Sequence, residues 1–79
     1  MKDKLFEIFK NGCTSILEED GSKISKDTRL FHLMDELDLV EIVMYMEENL
    51  ERELAIDIEE KYLYKTVEEF VEIVCESLK

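Results

Sequence analysis

The sequence predicts an all-α fold, and three observations carry that expectation. Apolar residues recur at three- and four-residue spacing through most of the 79 residues, the pattern of amphipathic helices. Two helix-start signatures stand in the chain, Asp35 with Asp38 and Thr66 with Glu69, each a cap residue followed three positions on by a carboxylate. There is no Pro and there are only two Gly, so little breaks a helix. This length allows one domain at most. A hydrophobic fraction of 46% is enough to build a core, so the high charge does not imply disorder.

Leu5, Ile8, Phe9, Cys13, Ile16 and Leu17 define a first helix over residues 3–19. Asn11-Gly12 interrupts it, since Gly costs about 1 kcal/mol against Ala in a helix interior. The periodicity resumes beyond, so one helix is expected, with Gly12 the place for a bend. Glu19-Asp20-Gly21-Ser22 reads as stop and turn. Residues 23–34 lose the helical period, and Ile24, Leu30, Phe31 and Leu33 are expected to plug this long loop onto the core.

A second helix is expected to start at Asp35, a preferred N-cap. Leu39, Ile42, Val43, Met46, Leu50 and Leu54 give it a wide apolar stripe. Leu37, Val40 and Met44 fall beside that stripe, more apolar surface than one buried face needs. The helix should end between Leu50 and Leu54. Residues 57–64 have room for one or two short helical turns, anchored by Ile58, Tyr62 and Leu63. The last helix opens on the Thr66–Glu69 capping box and continues with Val67, Phe70, Val71, Val74 and Leu78.

The string Asp35-Glu36-Leu37-Asp38-Leu39-Val40-Glu41 resembles the start of the second helix of acyl carrier proteins, usually Asp-Ser-Leu-Asp-x-Val-Glu. The likeness runs from about Ile24 to the C-terminus. It includes the loop segment Ile24-Ser25-Lys26-Asp27-Thr28-Arg29-Leu30-Phe31, the Met46-Glu47-Glu48 that follows the string, and Thr66-Val67 before the last helix. The resemblance implies a single carrier-protein-like domain over residues 1–79. Its architecture would be a four-helix bundle of three main helices and one short one, with a long first loop. Two departures matter. Glu36 stands where that family has the serine that carries the phosphopantetheine arm. Leu33-Met34-Asp35 is one residue shorter than the usual Leu-Gly-x-Asp, altering the loop where modifying enzymes dock.

A carboxylate cannot take the arm, because attachment needs a hydroxyl nucleophile, so no cofactor is expected. Ser15, Ser22, Ser25 and Ser77 lack the required setting, a hydroxyl at an exposed helix N-terminus where free N–H groups favour phosphate. The simplest account of Glu36 is local: a carboxylate in the first turn of a helix contributes about 0.3–1 kcal/mol. A sharper one is that it keeps a fixed negative charge where the family's phosphodiester would sit.

The formal net charge is −11, from 21 Asp and Glu against 10 Lys and Arg. That balance disfavours nucleic acid and anionic membranes and favours partners with basic patches. On the second helix the acids interleave with apolar residues, which fits an interface with a charged rim better than a purely solvating face. The candidate partner-binding residues are therefore Glu36, Leu37, Asp38, Val40, Glu41, Met44, Glu47 and Glu48.

The leading expectation is a monomeric, cytoplasmic, non-enzymatic module that docks on or regulates carrier-binding biosynthetic enzymes. One alternative is a true acyl or aminoacyl carrier of fatty-acid, polyketide or related biosynthesis whose serine is replaced in this chain. Another is an acidic decoy that mimics nucleic acid.

Other chemistry finds no support. His32 has no Ser, Cys or Asp at catalytic spacing, so it is expected to be a structural or solvated loop residue. Asp57, Glu59 and Glu60 lack the alternating ligands and central Gly of an EF-hand, and no metal site is expected. Cys13 and Cys75 lie far apart within apolar-periodic segments, as small buried thiols in a reducing compartment would. Tyr45, Tyr62 and Tyr64 read as rings at the core edge. No apolar run is long enough to span a bilayer, and Met1-Lys2-Asp3-Lys4 is neither a secretory signal nor an anchor.

Overall fold

The computed structural model describes residues 1–78. Three α-helices, α1 (Lys2–Leu17), α2 (Glu36–Leu50) and α3 (Val67–Ser77), alternate with 3-10 helices at Gly21–Lys23, Leu30–His32 and Glu60–Tyr64. No strand occurs among the described residues, only an isolated antiparallel bridge between Arg29 and Thr66. The radius of gyration is 11.1 Å, against about 11.6 Å for a folded domain of this length, so the helices close on one another.

α1 packs against both α2 and α3. It buries Leu5, Ile8, Phe9 and Cys13, which face Leu39, Ile42, Val43 and Met46 of α2 and Val67, Phe70, Val71 and Val74 of α3. Phe9 and Phe70 meet with ring centroids 6.0 Å apart, and the Tyr62 ring stands edge-on to Phe70 at 6.1 Å. No buried polar side chain interrupts the core among the described residues.

α1 is one uninterrupted helix through Gly12. The glycine is there for space. A Cβ on it would lie 3.0 Å from Tyr45 Cδ1 and 3.4 Å from Ile42 Cδ1, so α2 approaches α1 over a position that carries no side chain. α1 ends at Leu17, two residues earlier than the periodicity suggests. Glu18 takes a left-handed conformation (φ 58°), and its amide bonds back to the Cys13 carbonyl. Glu51 does the same after α2 (φ 55°). A non-glycine residue in that region costs about 1–2 kcal/mol, offset here by the carbonyls that the two caps satisfy.

The first loop is clasped to the start of α3. Leu30 donates to the Lys65 carbonyl at 3.0 Å, Val67 to Thr28 at 2.8 Å and Glu68 to Lys26 at 3.0 Å. The Thr66 hydroxyl accepts the Glu69 amide and the Glu69 carboxylate accepts the Thr66 amide. These bonds satisfy the first amides of α3, which no helical carbonyl reaches. Bonding to the Thr66 amide is also what holds the Glu69 carboxyl below its usual range.

Ile24 and Leu30 are buried as plugs of this loop, and Leu33 packs partly against the core. Phe31 is not a plug: it is 48% exposed. The 3-10 helix turns Leu30 inward and Phe31 outward, and Met34 fills the core position instead. In the segment before α3, the 3-10 helix Glu60–Tyr64 sits on Ile58, Tyr62 and Leu63, all partly buried against the core.

Candidate docking face

α2 begins where its capping chemistry places it. Asp35 Oδ1 accepts the Asp38 amide at 2.9 Å, and Asp38 Oδ2 accepts the Asp35 amide at 3.3 Å. With this start fixed, the 3.6-residue period sends Leu39, Ile42, Val43 and Met46 into the core. Leu37, Val40 and Met44, at i, i+3 and i+7, then share an outward stripe and are 76%, 39% and 55% exposed. At 1.5 Å per residue the stripe runs about 10 Å along the helix.

Glu36, Glu41 and Glu48 flank this stripe and are exposed. Asp38 and Glu47, also expected on the face, have duties inside the fold. Asp38 is half-buried in the capping box. Glu47 is half-buried too, and its Oε2 accepts the Leu54 amide at 2.8 Å, holding the turn that leaves α2. A carboxylate so engaged is a weaker lure for a partner than a free one.

Ion pairing sharpens the contrast. Among the described residues Lys2 pairs with Glu72, Lys10 with Glu7, Lys26 with Asp3, Arg29 with Glu69 and Lys61 with Glu59. All lie outside α2, which carries neither Lys nor Arg. No ion pair among the described residues therefore reaches the acids of that helix. A shallow recess between α1 and α2 opens beside it, lined by Ile16, Glu41, Met44, Tyr45 and Glu48. Two other recesses lie along α3, where lysines alternate with carboxylates and no single sign dominates.

Glu36 is the first residue of α2, with its side chain in solvent. It offers no hydroxyl, so this position does not fit a phosphopantetheine arm. The serines of the chain lie elsewhere. Ser22 Oγ is bonded to Asp20 Oδ1 at 2.7 Å and Ser25 Oγ to Thr28 Oγ1 at 3.1 Å, both within the first loop. Ser77 donates to the Val74 carbonyl, and Ser15 lies in the body of α1.

His32 is exposed, its ring 4.2 Å from that of Phe31, and Phe31 lies 6.0 Å from Tyr64. Tyr64 is 62% exposed, not a ring at the core edge. This outward aromatic group was invisible in the periodicity, which marks apolar residues without saying which way a 3-10 turn points them. Among the described residues no set of three or more His, Cys, Asp or Glu could hold a metal ion. Cys13 is buried and Cys75 half-buried, both as free thiols. No helix among the described residues is long and apolar enough to cross a membrane. Comparison with family models, curated proteins and solved structures gives no match.

Proposed function

We propose that this chain is an acyl-carrier-like docking module without an acyl arm. Its three α-helices and the short helix before α3 would form a carrier-type four-helix bundle. The α2 face would engage carrier-binding biosynthetic enzymes through their Arg and Lys patches. The observation that carries this reading is the outward stripe Leu37–Val40–Met44, edged by Glu36, Glu41 and Glu48, on a helix whose acids form no ion pair among the described residues. Apolar anchors with a single-sign rim suit a protein interface, and nothing in the arrangement activates a nucleophile or a base.

The exposed place of Glu36 at the head of α2 favours one second reading, a carrier scaffold in which only the attachment serine has been exchanged. Both readings share the docking face and differ in whether acyl groups were ever carried.

Stopped-flow binding to a carrier-binding fatty-acid enzyme tests the proposal. Rim charges act mainly on association, and buried apolar anchors on the lifetime of a complex. Glu41→Lys and Glu48→Lys should slow association and flatten its dependence on salt, whereas Met44→Ala should speed dissociation. Association unchanged by both charge reversals would overturn it.

A further inference from the structure

A second exposed apolar group stands at the head of α2. Phe31 and Tyr64 project from two different 3-10 helices, with His32 against Phe31. Their placement is built rather than incidental. Arg29 donates to the Tyr64 carbonyl at 2.8 Å, and Leu30 donates to Lys65 at 3.0 Å, tying the two segments together beneath the rings. From His32 only Leu33, Met34 and Asp35 lead to Glu36, so the rings and the α2 carboxylates adjoin along the chain.

Two other rings, Phe6 and Tyr62, have cations of the protein itself beside them. Lys10 and Lys26 stand 5.3 and 5.9 Å from the Phe6 centroid, and Lys61 stands 5.7 Å from that of Tyr62. Among the described residues no cation is placed over Phe31 or Tyr64 in this way. Arg29, the nearest guanidinium along the chain, is held by the Tyr64 carbonyl and by Glu69 at 3.8 Å.

We propose that Phe31, His32 and Tyr64 form a stacking ledge for arginine side chains of a basic partner protein. Charge selects this occupant. A second copy of the chain would bring another −11, and nucleic acid or an anionic bilayer would be repelled likewise. A guanidinium is attracted by the ring faces. It also stacks flat on aromatic rings as an ammonium does not. The ledge shares with the α2 reading only the sign of the partner's charge.

A helical peptide presenting a row of arginines beside a row of leucines is the probe, with a lysine-for-arginine twin as control. NMR titration of the native protein reads the Phe31 and Tyr64 ring protons separately from the Val40 and Met44 methyls. The arginine peptide is expected to shift both rings and to bind more tightly than its twin. A Phe31→Ser, Tyr64→Ser double variant, checked for unchanged helicity, should weaken the arginine peptide about five- to tenfold. Ring shifts with silent α2 methyls would support the ledge while counting against the α2 face. Shifts confined to Val40 and Met44, equal binding of the two peptides, or no binding would each overturn the ledge, and only the last would also tell against the α2 face.

Discussion

The Glu47 carboxylate accepts the backbone amide of Leu54 at 2.8 Å across the turn that ends α2. That single contact separates two acids that look alike in the sequence. Glu48, its neighbour, is exposed, with no such bond. Removing the Glu47 carboxylate leaves a part-buried amide short of an acceptor and loosens a turn already strained by Glu51 at φ 55°. Glu47→Ala is therefore expected to cost about 1 kcal/mol of stability, and Glu48→Ala less than about 0.5 kcal/mol. Chemical denaturation of the two variants checks this, and equal losses would remove Glu47 from its structural role.

Two methionines of α2 provide the corresponding test for apolar groups. Met46 is fully buried, while Met44 is 55% exposed. Met46→Ala should lose about 2–5 kcal/mol through the cavity it opens. Met44→Ala should stay within about 0.5 kcal/mol of the native protein. If Met44→Ala melts like a core truncation, the outward stripe is packed and does not form a docking face.

The cysteines should differ in reactivity and in their effect on pH dependence. Burial, with a smaller contribution from the Glu19 charge, pushes the Cys13 thiol up to about 12. Maleimide at neutral pH should label Cys75 in the folded protein and reach Cys13 only on unfolding. The linkage follows from the sign of the shift. A thiol that holds its proton more tightly when folded leaves stability unchanged below the ordinary thiol value of 9.0. As pH rises from there towards about 12, the unfolded state loses its proton first. Stability should fall over that window by up to about 1.4 kcal/mol per pH unit. Cys13→Ala should reduce that alkaline slope, measurable by denaturation at pH 8 and pH 10.

Much of the fold was legible because its determinants are local. The Asp35–Asp38 and Thr66–Glu69 boxes fix both helix starts within three residues of sequence, and the 3.6 period separates Leu39, Ile42, Val43 and Met46 from Leu37, Val40 and Met44 without tertiary information. What escaped depended on partners distant in sequence. Gly12 reads as an interruption, and only the Tyr45 ring on α2 shows it to be a close approach. Phe31 and Met34 are both apolar in a segment without a period, so sequence alone could not choose which one turns inward. Glu47 looks like part of the acidic rim until the chain reverses and brings the Leu54 amide back to it. The absence of ion pairs on the α2 acids among the described residues is half legible. The absence of Lys and Arg from the helix can be read directly, whereas the pairing of Lys2, Lys26 and Arg29 with acids outside α2 needs the fold.

Intact-mass measurement after incubation with a broad-specificity phosphopantetheinyl transferase and coenzyme A tests the central claim most directly, applied to the native chain and to Glu36→Ser. A carrier-like scaffold lacking only its nucleophile predicts an unmodified native chain and one phosphopantetheine adduct on the variant. An adduct on the native chain would contradict it, whereas a Glu36→Ser protein that folds but stays unmodified would show that the shortened Leu33-Met34-Asp35 entry also matters.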